Sequence, residues 1–122
     1  MMKTKILVIE DNEDNRRIVR DLLTSAGYEV IEAVTGQEGV TAAETQGPEL
    51  ILMDIQLPDF DGYEATRRIK ANPALSAIPI IAVTSYALSG DDVKAFEAGC
   101  DAYVTKPFSP RELLAKIREY LK

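Results

Sequence analysis

The chain is predicted to form a doubly wound, five-stranded parallel α/β domain. Apolar, strand-like runs alternate with helix-like segments five times. That pattern implies right-handed strand–helix–strand units with helices on both faces of the sheet. The first run, Ile6-Leu7-Val8-Ile9, is continuously apolar, as a strand covered on both faces should be. The length of 122 residues lies near the commonest domain size, so a single domain spanning residues 1–122 is expected.

The first strand is expected over Lys5 to Ile9. A helix follows over Asn12 to Ala26, with Ile18, Val19, Leu22, Leu23 and Ala26 on one side and Gly27 ending it. Either Asp11 or Asn12 can cap its start. Glu29 to Ala33 reads as an edge strand, and Thr35 to Thr45 as a short helix closed by Gly47-Pro48. Leu50 to Met53 is the third strand and Asp61 to Ala71 the third helix. Asn72-Pro73 and Ile78-Pro79 bracket the loop before the fourth strand, Ile80 to Val83. A helix from Asp91 to Ala98 stops at Gly99, and Ala102 to Thr105 is the last strand. The final helix has the clearest start: Ser109 as N-cap, Pro110 as first residue, Glu112 as capping-box partner. Leu113, Leu114, Ile117, Tyr120 and Leu121 form its inward stripe, and it runs almost to Lys122, leaving no room for a second domain.

Composition narrows the function classes. Net charge is 14 − 20 = −6 and no basic run occurs, which disfavours direct nucleic-acid binding. No signal peptide or membrane-spanning stretch is expected, and a single cysteine, Cys100, fits a reducing cytosol. Cys100 itself reads as a small, semi-buried thiol. The chain contains no histidine, which removes imidazole catalysis and imidazole metal sites from it. Any phosphohistidine chemistry must come from a partner.

Glu10, Asp11, Asp54, Thr84 and Lys106 each stand where a strand-like run stops. Ligands bind outside the carboxyl ends of parallel strands in open α/β sheets, so these side chains should converge. Two like charges about 4 Å apart repel by roughly 4 kcal/mol at an effective dielectric near 20, so such a cluster keeps a proton or holds a cation. Hard oxygen ligands suit Mg²⁺, and the lack of His or paired Cys argues against Zn²⁺. Lys106 and Thr84 supply a compact cation and a hydroxyl donor for phosphoryl oxygens. Asp54 follows a rigid buried strand and stands alone, whereas Glu10-Asp11 forms a natural metal-holding pair. Asp54 is therefore the candidate nucleophile, forming an acyl phosphate.

The sequence resembles the receiver domain of two-component response regulators over nearly its whole length. The likeness rests on Val8-Ile9-Glu10-Asp11-Asn12, Leu52-Met53-Asp54-Ile55-Gln56-Leu57-Pro58-Asp59-Phe60-Asp61-Gly62, Ile80-Ile81-Ala82-Val83-Thr84-Ser85, and Gly99-Cys100-Asp101-Ala102-Tyr103-Val104-Thr105-Lys106-Pro107-Phe108. It implies a flavodoxin-like fold of strand order 2-1-3-4-5. It implies that Asp54 accepts a phosphoryl group from a histidine kinase or histidine phosphotransfer protein. Glu10, Asp11, Asp54 and the backbone carbonyl of Gln56 would hold Mg²⁺, and Thr84 and Lys106 would bind phosphoryl oxygens. Tyr103 matches the switch aromatic, and the Lys106–Pro107 peptide is expected to be cis. Gln56 and Tyr86 match positions that tune phosphoryl lifetime, an intermediate one being expected here.

The expected function is signal transfer by a stand-alone receiver. Phosphorylation would bias a two-state surface formed by the fourth helix, fifth strand and fifth helix, where a downstream protein or a second copy could dock. The protein would catalyse its own phosphorylation and slow dephosphorylation but turn over no external metabolite. The rival is a Mg²⁺-dependent aspartyl-phosphate phosphohydrolase. Such enzymes usually carry a second acid two residues after the nucleophile, where this chain has Gln56. Among other residues, Gly36 and Gly62 read as a helix start and a turn. Phe60, Phe96 and Phe108 read as core or hinge packing. The Arg16-Arg17 and Arg67-Arg68 pairs read as solvated helix faces.

Overall fold

A computed structural model of the protein describes residues 3–84, 91–106 and 108–121, with the backbone alone at Asp91 and Asp92. Its elements alternate strictly: β1 (Lys5–Ile9), α1 (Glu13–Ser25), β2 (Glu29–Ala33), α2 (Gly36–Gln46), β3 (Leu50–Asp54), α3 (Gly62–Ala71), β4 (Ile80–Thr84), α4 (Asp91–Ala98), β5 (Ala102–Thr105) and α5 (Pro110–Tyr120). All strand pairs are parallel, in the order β2-β1-β3-β4-β5. The expected fold and strand order are those observed.

Alternation along the strands divides the core in two. Ile6, Val8, Leu50, Leu52 and Ile81 face α1 and α5 and pack with Leu23, Leu113 and Ile117. Leu7, Ile9, Ile51, Met53, Ile80 and Ala82 face the other way, against Ala42, Ala43, Ala65, Ile69 and Ala95 of α2, α3 and α4. Small residues let α2 approach closely: a Cβ on Gly39 would lie 2.4 Å from Ile9 Cδ1.

Side chains start the helices at the predicted places. Asn12 Oδ1 accepts the Asn15 N–H at 2.9 Å, Thr35 Oγ1 that of Glu38 at 3.0 Å, Asp61 Oδ1 that of Glu64 at 2.9 Å, and Ser109 Oγ that of Glu112 at 3.1 Å. Each satisfies one of the N–H groups that a helix leaves unpaired at its first turn.

The structure corrects the sequence reading at several positions. β3 and β4 each run one residue further than expected, so Asp54 and Thr84 are strand termini rather than loop residues. Asp54 pairs in register with Val83, and Thr84 with Thr105, which extends the ladder under both. Ile18 is 63% exposed rather than core-facing, because the first turns of α1 overhang a cavity at the carboxyl rim. Phe96 is 52% exposed: on α4 the inward positions are Ala95 and Ala98, about one helical turn apart, which turns Phe96 outward. Arg16 is not a solvated residue, since its side chain is only 16% exposed and paired with Glu32. Cys100 is buried, with its Sγ 3.6 Å from Thr66 Oγ1.

Candidate functional site

The parallel register brings the carboxyl ends of β1, β3, β4 and β5 to one rim. Glu10 follows β1 directly, and its N–H donates to Ala33 O at 3.0 Å, so the edge of β2 fixes where the chain leaves the sheet. Its side chain turns back: Glu10 Oε2 accepts the Asn12 N–H at 3.1 Å. Asp54, last residue of β3, accepts the N–H of Gln56 on Oδ1 at 3.1 Å, which sets the plane of its carboxylate. Lys106 is carried in from β5, its N–H donating to Thr84 O at 2.7 Å.

Glu10, Asp11 and Asp54 place carboxylate oxygens within 4.8 Å of one another. Glu10 and Asp54 are buried and Asp11 is exposed. Two full charges at that separation repel by about 3.5 kcal/mol at an effective dielectric near 20. The site relieves this in two ways. Lys106 Nζ lies 2.7 Å from Glu10 Oε1 and 3.9 Å from Asp54 Oδ2. In addition, burial, helped by a hydrogen bond with the Glu10 carboxylate, pushes the Asp54 carboxyl from 3.8 up to about 7. Burial acts on Glu10 in the same direction. Its hydrogen bonds with Asp54, Lys106 and the Asn12 N–H outweigh that and hold it below its ordinary value. One carboxyl is thus readily ionised and its neighbour is poised to keep a proton. A cluster of this kind, all hard oxygen donors, fits a small divalent cation.

A cavity of about 510 Å³ opens beside the acids. Val8, Leu52 and Val83 floor it, Ile18 and Val19 of α1 form one wall, and Phe108 and Leu113 form the other. Asp54 and Lys106 therefore border apolar surface.

The structure brings together Glu10, Asp11, Asp54 and Lys106. Thr84 is at the same rim, fully buried at the end of β4. Tyr103 is half-buried, packed against the core under α2, α3 and α4. The backbone N–H of Gln56 donates to Asp54 Oδ1 at 3.1 Å. Tyr86 and the Lys106–Pro107 peptide lie outside the described residues.

Two residues at the site escaped the sequence reading. Arg16 donates from Nη1 to Glu10 O at 3.1 Å and from Nε to Glu32 Oε1 at 3.0 Å, tying the Glu10-Asp11 turn to β2. The signal available was an arginine one turn into α1 facing an acid on the neighbouring edge strand. Asp59 reaches from the β3–α3 loop to the start of α2, accepting the N–H of Gly36 on Oδ1 at 2.8 Å and that of Gln37 on Oδ2 at 2.9 Å. Nothing in the spacing announced that bond. Arg68 is likewise less free than expected, its guanidinium 4.0 Å from the centroid of the Phe60 ring.

The fold and this rim define the class. The pattern of the response regulator receiver domain family matches residues 6–118, and the chain belongs to that family. It is therefore the receiver domain of a two-component response regulator, a signalling class in which phosphoryl acceptance is general. Among curated relatives it is 42% identical over 120 residues to the polar-differentiation response regulator DivK of Brucella ovis, covering 98% of each chain. Among solved structures it resembles the receiver domain of sensor histidine kinase PA1611 from Pseudomonas aeruginosa, with TM-score 0.92 and 39% identity over 98% of both chains. That structure has a magnesium ion coordinated in its active-site cleft. A CheY-like receiver domain protein from Methanospirillum hungatei matches with TM-score 0.90 and 38% identity, over 98% of this chain and 94% of that one.

Proposed function

We propose that Asp54 accepts a phosphoryl group from a phosphohistidine on a histidine kinase or phosphotransfer protein, and that the resulting acyl phosphate switches a protein-binding surface. The observation that carries this reading is the close cluster of Glu10, Asp11 and Asp54 beside Lys106, at the open end of a buried sheet. In the transfer, an Asp54 carboxylate oxygen forms a bond to phosphorus as the phosphorus–nitrogen bond to the donor imidazole breaks, and the imidazole takes up a proton. The Gln56 N–H on Oδ1 holds the attacking group in one orientation, which is most of what phosphoryl transfer asks of a protein.

Glu10, Asp11, Asp54 and the Gln56 carbonyl would hold Mg²⁺. When bound, the ion supplies positive charge that favours ionised Asp54 and neutralises phosphoryl oxygens. The magnesium of the PA1611 receiver supports this choice of ion. Lys106 rests on Glu10 at 2.7 Å, and its flexible stem lets the ammonium transfer to a phosphoryl oxygen. Thr84 would donate its hydroxyl to another, and Tyr103 would follow Thr84 inward. Gln56 and Tyr86 would set phosphoryl lifetime. Output would pass through the α4–β5–α5 face, where Val93 and Phe96 are exposed, to a protein target or a second copy. In this reading residues 1–122 form one cytoplasmic receiver domain that slowly loses its own phosphoryl group and turns over no external metabolite.

Incubation with acetyl phosphate and Mg²⁺ tests the reading. One equivalent of label is expected on the wild type, none after Asp54→Asn, and much less with chelator. Undiminished labelling of Asp54→Asn would overturn it.

A further inference from the structure

The β3–α3 loop, residues 55–61, carries the Gln56 backbone yet is lightly packed. Gln56, Pro58, Asp59 and Asp61 are exposed, and Leu57 and Phe60 are only half-buried. Its neck is closed by the Gly62 N–H donating to Ile55 O at 2.8 Å. Gly62 is required there, because a Cβ would lie 2.4 Å from Asp54 O. Its tip is tied to a different element, the first turn of α2. Asp59 takes the N–H groups of Gly36 and Gln37, and Thr35 takes that of Glu38, so three successive first-turn donors are satisfied. Phe60 lies on Gly36, where a Cβ would meet Phe60 Cε2 at 2.8 Å, and Arg68 covers the ring. Desolvation, the largest single influence, raises the Asp59 carboxyl. The N–H groups of Gln37, Gly36, Phe60 and Asp59 itself outweigh that and hold it below its ordinary value, so the latch is ionised at neutral pH.

We infer that Asp59 is a positioning residue for phosphoryl acceptance: by clamping the loop tip to the N-terminus of α2, it fixes the Gln56 backbone against Asp54 and the cation site. The inference rests on the phosphoacceptor reading above. Without the clamp, Gln56 keeps one described tether, its N–H on Asp54 Oδ1. A loop free to shift by a fraction of an ångström misplaces both that donor and the neighbouring carbonyl, and groups supporting a metal site typically change affinity about 10- to 100-fold when removed.

The test compares Asp59→Ala, Asp59→Asn and Lys70→Met with the wild type. Lys70 bonds Ser76 O, Ile78 O and Asp101 at the opposite end of the sheet, so its loss reports destabilisation without touching the site. Calorimetric titration with Mg²⁺, the Gln56 amide resonance and acetyl-phosphate labelling rates are read beside thermal midpoints. Asp59→Ala is expected to weaken Mg²⁺ binding about tenfold, slow labelling and shift the Gln56 amide. Asp59→Asn keeps one acceptor oxygen but sets an NH2 group against the second N–H, so it should recover only part of the affinity. Lys70→Met should lower the thermal midpoint and leave Mg²⁺ affinity alone. If Asp59→Ala lowers the midpoint but binds Mg²⁺ and labels as the wild type does, the positioning role is overturned while the phosphoacceptor reading stands. If the wild type itself neither binds Mg²⁺ nor labels, both fall.

Discussion

At the scale of single residues, the site is built on a carboxylate the fold does not want charged. Asp54 passes from 3.8 in the unfolded chain to about 7 in the folded one. The folded state therefore holds the proton more tightly. The associated stability is complete below about pH 4 and is lost as pH rises through about 7. Replacing Asp54 by Asn removes that loss. In chelator at pH 8, Asp54→Asn should be more stable than the wild type by roughly 2 kcal/mol, about half the ceiling that a three-unit shift sets. The gain should fade toward pH 4, and denaturant melts at the two pH values check it. Removing Lys106 acts oppositely: Lys106→Ala leaves Glu10 buried without its 2.7 Å partner and should cost roughly 2 kcal/mol at pH 7. Glu10, Asp11, Asp54, Thr84 and Lys106 were legible in the sequence because strand ends mark the rim and buried strands announce themselves as apolar runs. Arg16 and Asp59 were not legible. Each acts on a backbone group of a neighbouring element, and spacing along the chain does not say which loop lies beside which helix start.

At the scale of elements, the helix boundaries were readable from caps, and the helix faces were only partly so. A 3.6-residue period marks the side of α1 that carries Val19, Leu22 and Leu23, but not how far the sheet extends beneath it, which is why Ile18 was misplaced. Phe96 was misread for a related reason, since an eight-residue helix gives a weak stripe. The close approaches at the starts of α2 and α3 were also invisible, because Gly36 and Gly62 read as an ordinary helix start and turn. Gly62→Ala is expected to cost about 3 kcal/mol, since the new Cβ meets backbone that cannot rotate away. A milder loss, about 1 kcal/mol, is expected for Ser109→Ala at the start of α5. Equilibrium denaturation of the two variants ranks them.

At the scale of the whole molecule, whose net charge is −6, the parallel sheet brings Glu10, Asp11 and Asp54 to one rim. Among the described residues no helix is long and apolar enough to cross a membrane. A cation that binds the folded protein alone stabilises it by mass action, about 2.7 kcal/mol at a hundredfold excess over its dissociation constant. Mg²⁺ should accordingly raise the thermal midpoint of the wild type, and Asp54→Asn should lose much of that rise. The parallel sheet with helices on both faces followed from the five alternations of strand and helix, whereas the strand order followed from the family resemblance.

The most direct test of Asp54 as acceptor is chemical mapping of the labelled protein. Borohydride reduces an acyl phosphate on aspartate to homoserine, which peptide sequencing by mass spectrometry locates. Homoserine at position 54 is the predicted result. Homoserine at another position, or a phosphoryl group that resists reduction, would contradict the account.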